Sequence, residues 1–153
     1  WVNWDNMAPA GALLASVADM AKWMVVQLDS GRIADKRLWN QAQTQQMWSM
    51  HTPIPVSNWY RSKMPSMHFR GYGLGWEMAT LHGRKIVGHS GGYDGMISRQ
   101  MLVPEEKIGV FTSRRGLKNL SLDTLSRNSL VSSRTPVFYS KKYCSPGQRS
   151  LII

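Results

Sequence analysis

The chain has 153 residues, of which 42% are hydrophobic, so it is long enough to bury the core of about one domain. A single cysteine excludes an internal disulfide framework and a cysteine-rich zinc site. The formal net charge is +10, but residues 1–113 carry 11 Lys/Arg against 8 Asp/Glu, whereas residues 114–153 carry 8 against 1. All seven Trp and all ten Met precede residue 102. The composition therefore predicts a folded part at 1–113 and a basic tail at 114–153.

Two helices are predicted in the first third of the chain. Ser16-Val17-Ala18-Asp19 reads as a capping box, and apolar residues then recur at helical spacing until Gly31, which can end the helix in a left-handed conformation. A second helix follows Asn40, whose side chain can cap it with Gln43 as the reciprocal partner. The Met and Trp residues of both helices indicate core packing rather than a cofactor site.

Two stretches predict irregular structure. Residues 1–15 contain Pro9 and Gly11 and read as a loop. Residues 51–70 are basic and mix aromatic residues with Met, which fits either the rim of a cleft or a solvated loop.

Four strands with short connections are predicted next. They cover residues 71–78, 84–87, 96–103 and 107–112. His82-Gly83 and Pro104-Glu105-Glu106 are the expected turns between them. Short links imply an antiparallel sheet, and the two helices supply a layer against it, so the predicted fold class is α+β.

The stretch Gly88-His89-Ser90-Gly91-Gly92-Tyr93-Asp94-Gly95 joins two of these strands and carries the residues best suited to chemistry. Its Gly-x-Ser-x-Gly pattern could be a nucleophile elbow. An elbow needs a following helix and a later histidine, but a strand is predicted after Ser90 and His89 is the last histidine of the chain. The elbow interpretation is therefore excluded, and His-Ser-Gly remains as the motif to explain.

Several segments in order resemble the C-terminal part of the serine β-lactamase and penicillin-binding-protein family, which includes class C β-lactamases, D-Ala-D-Ala carboxypeptidases and esterases. The resemblance runs from about Asp5 to Thr112 and includes a third active-site motif that is Lys-Thr-Gly or His-x-Gly in the family. The matching segments are Ala8-Pro9-Ala10-Gly11, residues 16–23, Met50-His51-Thr52-Pro53, Tyr72-Gly73-Leu74-Gly75-Trp76, Gly88-His89-Ser90-Gly91-Gly92 and residues 104–110.

The resemblance implies acyl transfer through a serine ester and assigns roles to the motif residues. His89 would contact a substrate carboxylate or assist proton transfer, and the N–H of Gly92 would be one of two oxyanion-hole donors. Ser90, Gly91 and Tyr93 would line the substrate site, with Gly91 leaving room for the acyl group. Implied substrates are β-lactams, D-amino-acid peptides or esters, with no cofactor. The family location, periplasmic or extracellular, is carried over in the same way.

The sequence departs from the family in one respect. Neither Ser-x-x-Lys nor a Tyr-x-Asn in the family order occurs in the chain. We therefore expect a fragment of a larger hydrolase domain whose N-terminal half is its partner, and we expect it to be inactive alone.

Other functions were weighed for the histidines and the tail. His51, His68, His82 and His89 lack the short spacing of a metal site, so no metal is expected. The basic tail at 114–153 could bind nucleic acid or an anionic membrane, but no aromatic ladder accompanies it, so nucleic acid is not an expected partner. The favoured interpretation is a tail that is non-native to the family or poorly ordered. A non-catalytic module that binds ligands or other proteins is the remaining alternative for the whole chain.

Overall fold

The structure, a computed structural model, describes residues 5–11, 13–93, 95–115 and 148–152. The helices are α1 (Ala8–Gly11), α2 (Val17–Leu28), α3 (Gln41–Met47) and α4 (Asn58–Lys63), with 3-10 turns at Asp5–Met7 and Pro104–Glu106. The strands are β1 (Arg32–Ile33), β2 (Lys36–Arg37), β3 (Thr52–Pro53), β4 (Arg70–Tyr72), β5 (Glu77–Leu81), β6 (Arg84–Tyr93), β7 (Met96–Val103), β8 (Ile108–Arg115) and β9 (Gln148–Ile152).

The strands form one large antiparallel sheet and one small ribbon. The large sheet has seven strands in the order β3-β4-β5-β6-β7-β8-β9, and β1 pairs with β2 separately. The α+β expectation of an antiparallel sheet with helices against it is confirmed. Seven strands stand where four were predicted, because β4 and β5 divide the predicted strand at 71–78 and because β3 and β9 add one strand at each edge.

Both predicted helix starts are confirmed by their caps. Ser16 Oγ accepts a hydrogen bond from the Asp19 N–H at 3.2 Å, and Asp19 Oδ2 accepts one from the Ser16 N–H at 3.1 Å. The Ser16 hydroxyl also donates to Asp19 Oδ2 at 2.6 Å, and this bond first, then the one from the Ser16 N–H, lowers the pKa of Asp19 because both favour the carboxylate. Asn40 and Gln43 form the same reciprocal pair at 2.9 and 2.8 Å. Each helix therefore begins where its local sequence predicts.

The C-terminal end of α2 is fixed to the sheet. The chain leaves the helix through Ser30 and Gly31, with φ values of +53° and +88°, so the predicted left-handed stop extends over two residues. Lys107, itself at φ +55°, donates from Nζ to the carbonyl oxygen of Leu28 and to Asp29 Oδ1. A cation at this position satisfies carbonyl groups that the helix leaves unpaired.

The core lies on the face of the large sheet that α2 covers, called here the helix-covered face. Its buried members are Met24, Leu28, Trp48, Trp76, Met78, Val87, Leu102 and Phe111. Trp48 and Trp76 meet edge to face, with ring centroids 6.2 Å apart and planes at 80°. A Cβ on Gly109 would lie 3.2 Å from the Met24 sulfur, so the glycine lets the helix approach the sheet closely. Met24 and Trp48 thus pack in the core, as predicted.

The predicted strand at residues 71–78 is broken in the structure. Residues 73–76 connect β4 to β5, and Gly75 has φ +78°, which a strand does not accommodate. The close approach predicted for this glycine-rich stretch is present: a Cβ on Gly73 would lie 2.2 Å from the carbonyl oxygen of Met47. The glycines therefore serve both a turn and a tight contact.

Two regions predicted as irregular contain short helices. Residues 5–11 form a 3-10 turn followed by α1. Within residues 51–70 lie β3 and α4, and the side chain of Ser57 caps α4 by accepting from the Tyr60 N–H. Neither helix has a buried residue, so the sequence of neither one shows the repeated apolar spacing by which a helix is predicted.

Most of the predicted tail, residues 116–147, lies outside the described residues. β8 runs through to Arg115, and β9 pairs beside it with Gln148 opposite Arg114. The boundary at 113 and the non-native origin of 114–153 stay predictions. In the described part of the chain, no helix has the length and apolar character that a membrane crossing requires.

Candidate active site

Residues 88–93 of the central motif lie within a strand, whereas its last glycine, Gly95, lies in the connection to β7, as the glycines suggested for the whole motif. β6 continues from Arg84 to Tyr93, but its pairing changes along the way. β5 pairs with it only as far as Gly88, which stands opposite Glu77. Residues 89–93 pair with β7 alone among the described strands. The motif therefore borders an open edge, where backbone N–H and C=O groups can meet a ligand.

Both ring nitrogens of His89 are engaged at this edge. Nδ1 lies 2.6 Å from the carbonyl oxygen of Ser90, and Nε2 lies 2.8 Å from the Tyr72 hydroxyl. A carbonyl oxygen can only accept, so Nδ1 carries a proton, and in the neutral ring Nε2 is then the acceptor for the Tyr72 O–H. The half-buried imidazole is thus held at two points.

Tyr72 is a site residue that sequence analysis did not single out as one. It ends β4, and the β4–β5 hairpin places it opposite Glu77, whose other neighbour is Gly88. Its ring stands beside that of His89, with centroids 5.8 Å apart and planes at 68°. The sequence feature that could have pointed to Tyr72 is its place at the start of the family-matching segment Tyr72-Gly73-Leu74-Gly75-Trp76, immediately before the chain turns. Only the structure shows that it meets His89, because the register aligns Tyr72 with Gly88 and the hydrogen bond is made between the two side chains.

The other predicted site residues alternate along the strand. His89 and Gly91 lie on the helix-covered face, since they are in step with the buried Val87, whereas Ser90 and Gly92 lie on the opposite face. A Cβ on Gly91 would lie 2.8 Å from Ser98 Oγ on β7. A Cβ on Gly92 would meet nothing within 4 Å. The space beside the motif is therefore at Gly92.

The backbone of Gly92 faces the open edge. The Ser90 carbonyl accepts from the His89 ring, which places it on the side of β6 away from β7. Backbone groups of alternate residues point to the same side of a strand, so those of Gly92 do so as well. Tyr93 closes the strand opposite Met96, and its side chain lies outside the described residues.

A charged cluster lies on the face opposite the helices. Arg99 stands across from Ser90, and Glu77 Oε2 lies 3.9 Å from its guanidinium and 3.8 Å from that of Arg70. The cavity next to these groups has a volume of about 30 Å³, room for about one water molecule. These charged groups thus lie together on the sheet face that carries Ser90.

The histidines do not gather into a metal site in the described part of the chain. Among the residues that the structure describes, no group of three or more His, Cys, Asp or Glu side chains is placed to hold an ion. His51 bonds instead through Nε2 to the carbonyl oxygen of Gln46 at 2.9 Å.

Comparison with known proteins agrees with the motif and the fold. The sequence model of the Beta-lactamase family matches residues 1–120. A protein of Aspergillus campestris (strain IBT 28561) named as an unguisins hydrolase is 29% identical over 110 residues, which are 72% of this chain and 19% of that protein. The chain therefore spans about a fifth of the length of this relative. No solved structure matches the chain significantly.

The matched region contains α2, the core and the whole of β6, and it covers 120 of the 153 residues. The resemblance in the sequence motifs is thereby confirmed, and the chain belongs to the beta-lactamase family.

Proposed function

We propose that the chain is the C-terminal part of a β-lactamase-like serine hydrolase domain and forms one wall of its active site. The reaction is hydrolysis of an amide, β-lactam or ester bond through an acyl-enzyme. His89 and Gly92 serve the reaction, and Ser90, Gly91 and Tyr93 border the substrate. The relative named as a hydrolase supports the reaction class, and the family match supports the assignment to this fold.

The observation that carries the proposal is the open edge of β6. Over residues 89–93 the strand pairs with β7 alone among the described strands, and on the sheet face a Cβ on Gly92 would meet nothing within 4 Å. A backbone N–H at such an edge can donate to a carbonyl oxygen that becomes negatively charged during acyl transfer. His89 adjoins it, held half-buried by Tyr72 and by its own strand. A donor and an imidazole a few residues apart on one rigid strand suit an acyl-transfer site.

The nucleophile is the part that this chain does not supply. Neither Ser-x-x-Lys nor Tyr-x-Asn in the family order is present in the sequence. The partner in the proposal is therefore an N-terminal half of the same domain, carrying both motifs. The proposed location, periplasmic or extracellular, rests on the family resemblance.

The test is a hydrolysis assay on the 153-residue chain, alone and mixed with a polypeptide that carries the two missing motifs. Substrates are a chromogenic cephalosporin, a p-nitrophenyl ester and a D-alanyl-D-alanine peptide. We expect no enzymatic turnover by the chain alone and turnover of at least one substrate by the mixture. His89→Ala should lower that turnover about 100-fold or more, the range of a lost acid–base group.

His82→Ala is the matched control, because His82 lies in the exposed β5–β6 turn away from the open edge. It should leave turnover unchanged. If the pure chain hydrolysed a substrate and lost that turnover on His89→Ala, the claim that it lacks the nucleophile would be wrong. A folded mixture that binds a ligand without hydrolysing any substrate would favour the non-catalytic module instead.

A further inference from the structure

The feature that goes beyond the family motif is the pairing of Tyr72 with His89. A histidine in an acyl-transfer site acts through a free ring nitrogen, either by taking a proton or by donating to a ligand. Here Nδ1 is bonded to the Ser90 carbonyl and Nε2 to the Tyr72 hydroxyl. Neither nitrogen of His89 is free to meet a ligand directly.

No competing polar group among the described residues holds the ring. Gln100 stands directly across the sheet from His89, yet its Oε1 is buried and has no hydrogen-bond partner in the described part of the chain. The imidazole instead contacts Tyr72, whose ring stands edge to face with it at a centroid distance of 5.8 Å. Tyr72 therefore covers Nε2, the one nitrogen that the strand's own backbone leaves accessible.

We propose that Tyr72 positions His89 and that its phenolic oxygen is the atom that the pair presents to an acyl ligand, an inference that rests on the proposed function. The Tyr72 O–H donates to Nε2, which leaves the lone pairs of its oxygen to accept a hydrogen bond from a ligand hydroxyl or amide. His89 fixes the direction of that O–H and acts on the ligand only through it. The Nδ1–H bond to Ser90 fixes the tautomer that makes this arrangement possible.

Acylation of the histidines by diethyl pyrocarbonate tests the proposal on the 153-residue chain. This small acyl donor modifies unprotonated imidazole nitrogens that are not hydrogen-bonded, and mass spectrometry follows each histidine separately. In the wild-type chain His89 should react more slowly than the exposed His68 and His82. Tyr72→Phe keeps the ring contact but removes the hydroxyl, so the His89 rate should rise roughly fivefold, as expected for one neutral hydrogen bond.

The control variant is Tyr60→Phe, which removes a phenol whose ring packs under the Arg70 guanidinium, 4.7 Å away. It should leave the His89 rate unchanged, and neither variant should alter the rates of His68 and His82. Wild-type His89 that reacts as fast as these two, or an unchanged His89 rate in a folded Tyr72→Phe chain, would overturn the proposal.

A second measurement needs no variant. Long-range proton–nitrogen correlation spectra of the wild-type chain at neutral pH should show His89 with a proton on Nδ1 and an unprotonated Nε2. The opposite tautomer would overturn the proposal even if Tyr72→Phe failed to fold. Because neither measurement involves turnover, their failure is distinguishable from a failure of the proposed hydrolase function.

Discussion

The two halves of β6 share one strand but differ in almost every physical respect. Residues 84–88 all pair with β5, Val87 and Gly88 pair with β7 as well, and Val87 is fully buried. Residues 89–93 have one strand beside them in the described part of the chain, and a Cβ on Gly92 would meet nothing within 4 Å. The first half is fixed by the core, and the second half continues the same strand and inherits that rigidity. A stable sheet can thus hold a strand edge in place without a loop.

The largest expected effect is on the free energy of unfolding, when the β7 residues opposite the two halves are truncated to alanine. Leu102 is fully buried opposite Val87, whereas Ile97 is only half-buried opposite Gly92. Leu102→Ala should lower the free energy of unfolding by about 3 kcal/mol, the cost of lost burial and a cavity. Ile97→Ala should cost about 1 kcal/mol, because partly exposed side chains lose less. Urea denaturation measures both, and equal costs would contradict the division of the strand.

Two glycines of the strand give a matched pair with a smaller effect. A Cβ on Gly88 would lie 2.5 Å from the carbonyl oxygen of Gln100, whereas one on Gly92 would meet nothing within 4 Å. Gly88→Ala should therefore cost about 1–3 kcal/mol of unfolding free energy through overpacking. Gly92→Ala should change it by no more than about 0.5 kcal/mol. A destabilised Gly92→Ala chain in urea denaturation would show that the sheet face at Gly92 is packed rather than open.

The smallest expected effect is the contribution of the Lys85 charge, in the first half of β6, to the pH dependence of the unfolding free energy. Lys85 donates from Nζ to the Trp48 carbonyl oxygen at 2.7 Å, and burial lowers the pKa of Lys85, with Glu105 acting in the opposite direction. A lysine with a lowered pKa binds its proton less tightly when folded, so its unfavourable contribution disappears as pH rises. The unfolding free energy of the wild-type chain should therefore rise, relative to Lys85→Met, between the folded pKa and about 10.4, the ordinary lysine value.

Urea denaturation of both chains from pH 7 to pH 10.5 checks this. The difference between wild type and Lys85→Met should be constant at the lower end of the range and should change towards the upper end. A difference that does not vary with pH would mean that the ammonium group is as well solvated in the folded state as in the unfolded state.

Sequence analysis predicted those parts of the fold that local interactions determine. The capping boxes at Ser16 and Asn40 and the turn at His82-Gly83 depend on residues at most three positions apart, and all three are confirmed. β7 begins and ends where its alternation predicted, at Met96–Val103. Each of these features can be read in a short window because its partners lie within that window.

The site was predictable only in part, for the same reason. His89 was singled out by its motif, but its contact with Tyr72 joins residues 17 positions apart. The register of β4, β5 and β6 aligns Tyr72 with Gly88, the residue before His89, and no short window of the sequence contains that pairing. The glycines after His89 also concealed the strand, since glycine in a sequence indicates a turn more often than an open sheet edge.

The central claim is that β6 holds one wall of a hydrolase site whose nucleophile lies elsewhere in the same polypeptide. The most direct measurement is the sequence of the coding DNA upstream of the Trp1 codon. The account predicts an in-frame Ser-x-x-Lys followed by a Tyr-x-Asn before Trp1. An upstream sequence that lacks both motifs would contradict it, because the open edge at His89 and Gly92 would then have no serine to serve.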